Sequence, residues 1–409
     1  MSRIFLKEVK SKTQRWQLFY ATDFLSLMYP CFTLCRILGL FPYKINKLKF
    51  EISKPLYILL IIITCVLCLY ECTILYQYKT FINFTKFEAV TTFFETICYS
   101  MSTASIVIVT LVLSRSRMRL LQIIMEISLK LDLESYQKLS RLIHAKDIFG
   151  SFYLICKVFT YAYVTKNVPI MYMIFGVYTI LLVFAMDMLY INCVCILKAC
   201  YKEINNSLLH MQEFIINKEP HVTMMFYKQR NSFLIIKLKN LQKQHMMISN
   251  TVQKLNIIFS VQLLATIVLS FSSIIFGLYH YFHTVQWYNG IVNFDGMYGV
   301  MFLLTAIYVT IKLALLVWAC ETGKNQAQEI RTTIHDVLNS SRDESIKNEL
   351  QLFSLQTLHG ENSFSAKGLN MDATFFASVV GTITTYMLIL LQFLKISQSC
   401  NERSAINIT

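Results

Sequence analysis

The chain has 409 residues, 55 % of them hydrophobic and only 15 % charged, and its mean hydropathy is +0.49. A soluble globular chain is about a quarter charged, so an ordinary soluble protein is excluded; five prolines and eleven glycines exclude disordered and collagen-like chains. The formal charge of +14 would point to nucleic acid only if the basic residues shared one exposed face, whereas they are divided among the segments between apolar runs, and no nucleic-acid partner is expected.

The amino-terminal stretch MSRIFLKEVKSKTQRW is basic, but no short apolar core with a cleavage site follows it, so no secretory signal peptide is read there. Within residues 1–54, Phe24–Phe41 carries Pro30 and Arg36 and ends at Gly39-Leu-Phe-Pro42. That is the pattern of an amphipathic or re-entrant lead-in rather than a span. Seven later segments reach the roughly 20 apolar residues that cross a bilayer. They are Pro55–Gln77, Ala89–Leu113, Asp147–Thr165, Val168–Cys195, Asn256–His280, Tyr298–Cys320 and Leu369–Lys395. The third is the weakest, because Lys157 interrupts it. Spans one to four thus occupy residues 55–195 and spans five and six residues 256–320. Residues 196–255 read as a helical anchor, 321–368 as a loop or helix on the same side, and 396–409 as a short tail outside. The expected fold class is an all-α membrane protein with seven transmembrane helices.

Direction follows from lysine and arginine. Of the 38, 31 lie before the first span or after the second, fourth and sixth, and five lie on the other side. Lys157 and Lys312 are inside spans. By the positive-inside rule the amino terminus and the anchor are cytoplasmic and the carboxyl terminus is outside. A G-protein-coupled receptor also has seven spans but runs the other way. The sequons Asn83-Phe-Thr85 and Asn205-Asn-Ser207 would be lumenal and cytoplasmic respectively. Some of the basic residues meet anionic membrane lipid in this reading.

Most of the twelve cysteines lie in apolar runs and read as small buried hydrophobes; Cys65-Val-Leu-Cys68 has redox-motif spacing but falls mid-span. In the anchor, Leu234, Leu238, Leu241, His245, Ile248, Val252 and Leu255 alternate by four and three, a heptad seam interrupted once by His245. Such a seam must pack, either on a neighbouring subunit or within its own chain. In the last span, Thr374, Ser378, Gly381, Thr382 and Thr385 form a stripe of small residues that lets helices approach closely. Further along, Thr385, Ile389, Gln392, Phe393 and Ile396 share a face. One amide beside apolar side chains suits a constriction that gates by dewetting, while an interhelical hydrogen bond from Gln392 is the plainer alternative. Lys395 is expected to snorkel to the headgroups.

Ionisable groups inside spans need partners. Lys157, Asp187 and Lys312 lie roughly 12 to 15 Å from the cytoplasmic ends of their spans, and Asp187 is expected to pair with Lys157, Lys312 or both as a structural tie. Glu71 and Glu95 are level with each other near the outer ends of spans one and two, where they would contact a polar or protonated ligand or else snorkel. Aromatics crowd the outer halves of the later spans: Tyr161, Tyr163, Tyr172, Phe175, Tyr178, Phe276, Tyr279, Tyr298 and Phe302. An apolar pocket with a few polar handles is the usual small-molecule site, although interfacial tyrosines are common in any membrane protein. His280-Tyr-Phe-His283 reads as an interfacial pair rather than a metal site. No HExxH, P-loop, nucleophile elbow or Cys/His metal pattern occurs, so neither catalysis nor a cofactor or metal is expected.

Near the carboxyl terminus, Leu350-Gln-Leu-Phe-Ser-Leu-Gln-Thr-Leu runs into Phe364-Ser-Ala-Lys-Gly-Leu-Asn-Met-Asp372, and the last span contains Thr385-Tyr386-Met-Leu-Ile-Leu-Leu-Gln392-Phe393. This resembles the insect gustatory receptor family, whose signature is Thr-Tyr, five mostly apolar residues and Gln-Phe in the seventh span. Looser similarity extends through Gln244-His245, Leu255-Asn256-Ile-Ile-Phe-Ser260 and Gly39-Leu-Phe-Pro42. The resemblance implies a ligand-gated, non-selective cation channel in the plasma membrane of sensory-neuron dendrites. It implies a homotetramer, or a hetero-oligomer with related receptors, whose seventh helices line one pore. It assigns the gate to Ile389, Gln392 and Phe393, the tastant pocket to the outer half of the first six spans, and the anchor to subunit contact. Sugar-receptor members have glutamate after the Thr-Tyr pair; Met387 stands there, which favours a bitter-type or fructose-type ligand. A reversed G-protein-coupled receptor is the second reading, and a secondary transporter is disfavoured for want of paired interrupted helices.

Overall fold

The computed structural model describes residues 18–46, 49–81, 87–164, 169–216, 224–286, 296–360, 363–366 and 368–406. The chain begins with α1 (Phe24–Ile37), whose start is fixed by a reciprocal cap. The Asp23 carboxylate accepts from the Ser26 N–H at 2.7 Å, and the Ser26 hydroxyl accepts from the Asp23 N–H at 3.1 Å. Phe24, Leu27, Met28, Cys31, Phe32 and Cys35 form its buried face. Its two ends are tied to the bundle: His144 Nε2 lies 3.1 Å from the Leu27 carbonyl oxygen, and the Tyr178 hydroxyl donates to the Leu38 carbonyl at 2.7 Å. The lead-in is thus tied into the bundle near both ends. Gly39 turns the chain at φ +72°, where a Cβ would come within 2.7 Å of the Ile63 side chain. An antiparallel hairpin follows, β1 (Tyr43–Asn46) on β2 (Lys49–Ile52), with Tyr43 opposite Ile52.

The remaining helices are α2 (Lys54–Phe81), α3 (Phe87–Val112), α4 (Ser114–Ser128), α5 (Leu133–Val164), α6 (Ile170–Ile216), α7 (Met224–Gln286), α8 (Gly296–Ser340), α9 (Glu344–His359) and α10 (Ala373–Ile406). Among the described residues, α2, α3, α6, α7, α8 and α10 are long and apolar enough to cross a membrane. The expected third span lies in α5, where Lys146, Asp147 and Lys157 lower the apolar character. It is packed into the bundle all the same. The Tyr153 hydroxyl donates to the Leu304 carbonyl at 2.6 Å, and Gly150 is so close to the Phe184 ring that a Cβ would sit 2.9 Å from it.

Helices α6, α7 and α8 have 47, 63 and 45 residues. At about 1.5 Å per residue these are roughly 70, 95 and 68 Å long, far more than a hydrocarbon core of about 30 Å. Each projects well past the membrane on the lysine-rich side, so segments 196–216 and 224–255 are continuous helical extensions of spans four and five. The seam of the α7 extension is fully used. Leu234, Leu238, Leu241, His245, Ile248, Val252 and Leu255 are all buried within this one chain, with the His245 ring 5.7 Å from Tyr201 of α6 and 5.6 Å from Phe353 of α9. The seam therefore packs on its own chain, not on a neighbour as expected. Asn205 is likewise buried; its amide donates to Glu329 at 3.1 Å and it accepts from Thr333 at 2.6 Å, so no glycan can be seated on it. The other sequon, at Asn83, lies outside the described residues.

The stretch Phe364–Asp372 forms a clasp beneath α10. Its two short strands, β3 (Ser365–Ala366) and β4 (Leu369–Asn370), are antiparallel and turn at Gly368, φ +83°. Phe364, Ala366 and Met371 are buried. The Phe364 ring lies against Gly323 of α8, where any Cβ would be 2.7 Å away, and Asn256 of α7 donates to the Ser363 carbonyl at 2.8 Å. Asp372 then caps α10, accepting from the Phe375 N–H at 3.0 Å. Helix α10 starts at Ala373, after the strand that takes up Leu369 and Asn370, and continues to Ile406 through most of the expected tail.

Candidate functional site

The outer ends of six helices bring together acids and aromatics. Glu71 on α2 is buried, with no hydrogen-bond partner for either carboxylate oxygen among the described residues. Ser100 and Tyr99 of α3 are its neighbours, and Tyr99 is within electrostatic reach of Tyr70 and Tyr161. Tyr70 stacks on Phe175 at 4.2 Å and lies 5.8 Å from Tyr172, whose hydroxyl donates to Gln77 at 2.6 Å. The Tyr161 hydroxyl occupies the space a side chain on Gly176 would need, 2.5 Å from its Cβ position. Glu95 is engaged by His280, 2.9 Å away. Glu71 does not snorkel; it is the acid held inside the bundle, and Glu95 is the one that is already paired.

The other expected pocket residues divide. Tyr279 is buried against His280 at 5.4 Å and Phe276 is half-buried. Phe302 stacks on Tyr281 at 5.4 Å and against Gly277. Tyr163 is 56 % exposed on the outside of the bundle. Tyr178 is half-buried and donates its hydroxyl to the Leu38 carbonyl just after α1. The Tyr298 side chain lies outside the described residues, as do those of His283 and Lys395.

Below this cluster sits a layer of buried charge. Lys312 of α8 is 3.4 Å from the Asp187 carboxylate of α6, which also accepts from Thr266 of α7 at 3.0 Å. Lys157 is not part of that ion pair; its ammonium lies 5.0 Å from the centre of the Tyr308 ring, with Lys312 5.7 Å from the same ring. Of the two partners open to Asp187, the fold uses Lys312. Arg117 of α4 is also buried, 5.0 Å from the Phe259 ring and 3.4 Å from the Gln262 amide oxygen. In the sequence it lies after the second apolar run, among the basic residues of the amino-terminal side. Its signal was periodicity, since Leu120, Leu121 and Ile124 follow at i+3, i+4 and i+7 and are buried on the same face.

The third feature is α10. None of its most apolar stretch is buried in the protomer, against 89 % for α6. Tyr386 turns back to its own chain, its ring edge-on to Phe271 of α7 at 5.9 Å. Thr385, Ile389, Gln392, Phe393 and Ile396 are exposed. The Thr385 hydroxyl is satisfied by the Gly381 carbonyl at 3.0 Å, but Gln392 has no side-chain hydrogen bond among the described residues. The residues sharing the expected face are thus together and exposed. No group of three or more metal-binding side chains occurs among the described residues.

The chain matches the model of the 7tm chemosensory receptor family over residues 28–395. It is 30 % identical over 155 residues to gustatory receptor 28b of Drosophila melanogaster, covering 36 % of this chain and 32 % of that one. It is 25 % identical over 158 residues to gustatory receptor 28a of the same fly, covering 38 % and 35 %. The match thus spans about a third of each relative's length. Among solved structures, the insect olfactory receptor OR5 from Machilis hrabei superposes with a TM-score of 0.65 at 12 % identity, covering 90 % of this chain and 97 % of that chain. The same receptor in complex with eugenol gives 0.63 at 13 % identity over the same shares. This multi-pass membrane protein therefore belongs to the 7tm chemosensory receptor family, the family of the insect gustatory receptors.

Proposed function

We propose that this receptor is a non-selective cation channel of the plasma membrane, opened directly by an external small-molecule tastant. The bare face of α10 is the observation that carries the reading. An apolar helix surface is at ease in lipid, but an unpartnered amide at membrane depth is not. The face bearing Gln392 belongs at a water-filled path shared with identical or related subunits, four in all. Ile389 and Phe393 beside it form the dewetting constriction, and Gln392 wets the path when the helices part. Because α9 and the outer side of the α7 extension expose Leu352, Leu355, Phe233 and Ile236, subunit contact falls on those faces instead of the buried seam.

The tastant sits among Glu71, Tyr70, Tyr99, Tyr161, Tyr172 and Phe175, an aromatic enclosure with one acid at its base. Its binding shifts the channel only by as much as it prefers the dilated arrangement of α10. The eugenol complex of the structurally similar olfactory receptor supports a small aromatic or plant-derived ligand, as does Met387 in place of the sugar-type glutamate. A fructose-type ligand is the alternative.

Expression of this receptor alone in a heterologous cell, with a ligand panel and G-protein signalling blocked, tests the reading. Ligand-evoked cation current that is lost or made constitutive by changes at Gln392 or Phe393 is expected. Current that disappears with the G-protein block, an externally accessible amino-terminal tag, or solitary protomers in micrographs would each overturn it.

A further inference from the structure

An open cleft of about 660 Å³ lies between α1, β1 and the first turn of α2, on the lysine-rich side of the bundle. Its size is within the range of small-molecule sites, about 300–1,000 Å³. Arg36 and Lys44 line it beside Tyr29, with Phe32, Ile45 and Leu56 as apolar wall. Both cations are exposed, and neither forms an ion pair among the described residues. The Arg36 guanidinium lies 5.8 Å from the centre of the Phe41 ring, which orients it without neutralising it. The carboxylate nearest in the hairpin is Glu51, opposite Lys44 in register. It is held by the Asn46 amide at 2.8 Å.

The sequence adds a second, independent feature. Lys44, Lys47, Lys49 and Lys54 fall within eleven residues immediately before the first span. A cluster of four or more basic residues at that position attracts anionic lipid of the cytoplasmic leaflet. The flank of α1 beside the cleft is apolar and open, with Ile37 78 % exposed. Cations at the mouth, apolar wall behind and lipid alongside are the chemistry of a phospholipid whose headgroup bears more than one phosphate. The guanidinium takes one phosphate bidentately, the ammonium takes a second as a point charge, and the acyl chains lie along α1.

We propose that this cleft binds a phosphorylated inositol lipid of the inner leaflet, placed where it braces α1, and through Leu38 and Tyr178 the α6 core, against the membrane. The assignment rests on the inside orientation of the lysine-rich face; nanodiscs expose both faces, so binding there is read independently of that orientation, which the terminal-tag labelling tests.

The full-length receptor in phosphatidylcholine nanodiscs is titrated with a fluorescent phosphatidylinositol bisphosphate, and retention of the lipid is followed by native mass spectrometry. Saturable binding that weakens at least tenfold in the R36Q/K44Q double variant, with unchanged melting in phosphatidylcholine alone, is the expected result. Inositol trisphosphate should compete far more weakly than the lipid, because it lacks the chains. Three outcomes would overturn the proposal: equal binding by the double variant, an equal loss from K237Q/K243Q on the same side of the protein, which would mean diffuse attraction, or full competition by inositol trisphosphate or inorganic phosphate, which would make it a soluble-anion site.

Discussion

Helices α6 and α10 are both apolar and both long enough to cross a bilayer, yet the most apolar stretch of one is 89 % buried by its own chain and none of the corresponding stretch of the other is. The difference lies in what their polar residues do. On α6, Asp187, Asn192 and Asn205 are all buried; Asp187 and Asn205 find partners on α7 and α8, and the Asn192 amide donates to Asp147 of α5 at 3.2 Å. On α10, the hydroxyls of Ser378, Thr382, Thr384 and Thr385 return to the helix's own backbone, and Gln392 is left over. A helix whose polar groups are spent inside the protomer is a scaffold. A helix that satisfies itself and keeps one amide exposed has no such role inside its own chain, and under the proposed function neighbouring subunits complete it.

The comparison breaks if large changes on α6 prove harmless. Phe184 fills the space above Gly150, and Phe184→Ala should cost roughly 3–5 kcal/mol through the cavity it leaves, seen as a lower melting temperature and lost surface expression. Asp187→Asn leaves the Lys312 ammonium buried without its counter-charge, and a loss of similar size, about 3 kcal/mol or more, is expected. Exchanging the pair, D187K/K312D, should recover part of that loss. The D187K/K157D exchange should recover none, because Lys157 faces the Tyr308 ring instead. Rescue by the second exchange and not the first would remove the assigned ion pair.

A third change sharpens the contrast outside the membrane. Burial pushes the His245 imidazole down to about 4, and neither ring nitrogen has a hydrogen-bond partner among the described residues. The unfolded chain takes up a proton near pH 6.5 that the folded chain refuses until about pH 4. Stability is therefore undiminished above about pH 7 and falls as pH drops through 6.5 toward 4, by at most about 3 kcal/mol. His245→Leu restores the heptad and should flatten this part of the pH–melting profile. An unchanged slope would show that other groups set it.

How far these features were legible follows from where their causes lie. The apolar runs and the helical lead-in are local, and periodicity and length revealed them. Only six of the seven runs lie in helices long and apolar enough to span among the described residues, and the Asp23–Ser26 cap was not read. The partner choice of Asp187 was not local. Depth alone left Lys157 and Lys312 equivalent, and Tyr308, which takes Lys157 out of the ion pair, carries no charge to betray it. The anchor seam was visible as a heptad, but a heptad does not say whose helix it meets; α6 and α9 of the same chain cover it. The burial of Arg117 was not read because its signal lies in apolar neighbours counted by turn and not in an apolar run. In the outer cluster, Tyr178 resembled its neighbours in sequence and differs only because α1 comes up to meet its hydroxyl.

The smallest expected effect on folding is the most informative for function. Phe393→Ala on α10 removes a ring that is 53 % exposed in the protomer, so protomer melting should move by less than about 0.5 kcal/mol equivalent. The same substitution takes an apolar ring from the proposed constriction, which then wets more readily, and ligand-free current should rise. Gln392→Leu makes the reverse change, drying the same level of the path, and ligand-evoked current should fall with assembly and melting unchanged. If Phe393→Ala instead destabilises the protomer as much as Phe184→Ala does, α10 is packed like α6, and its bare face is a scaffold surface with no gate on it.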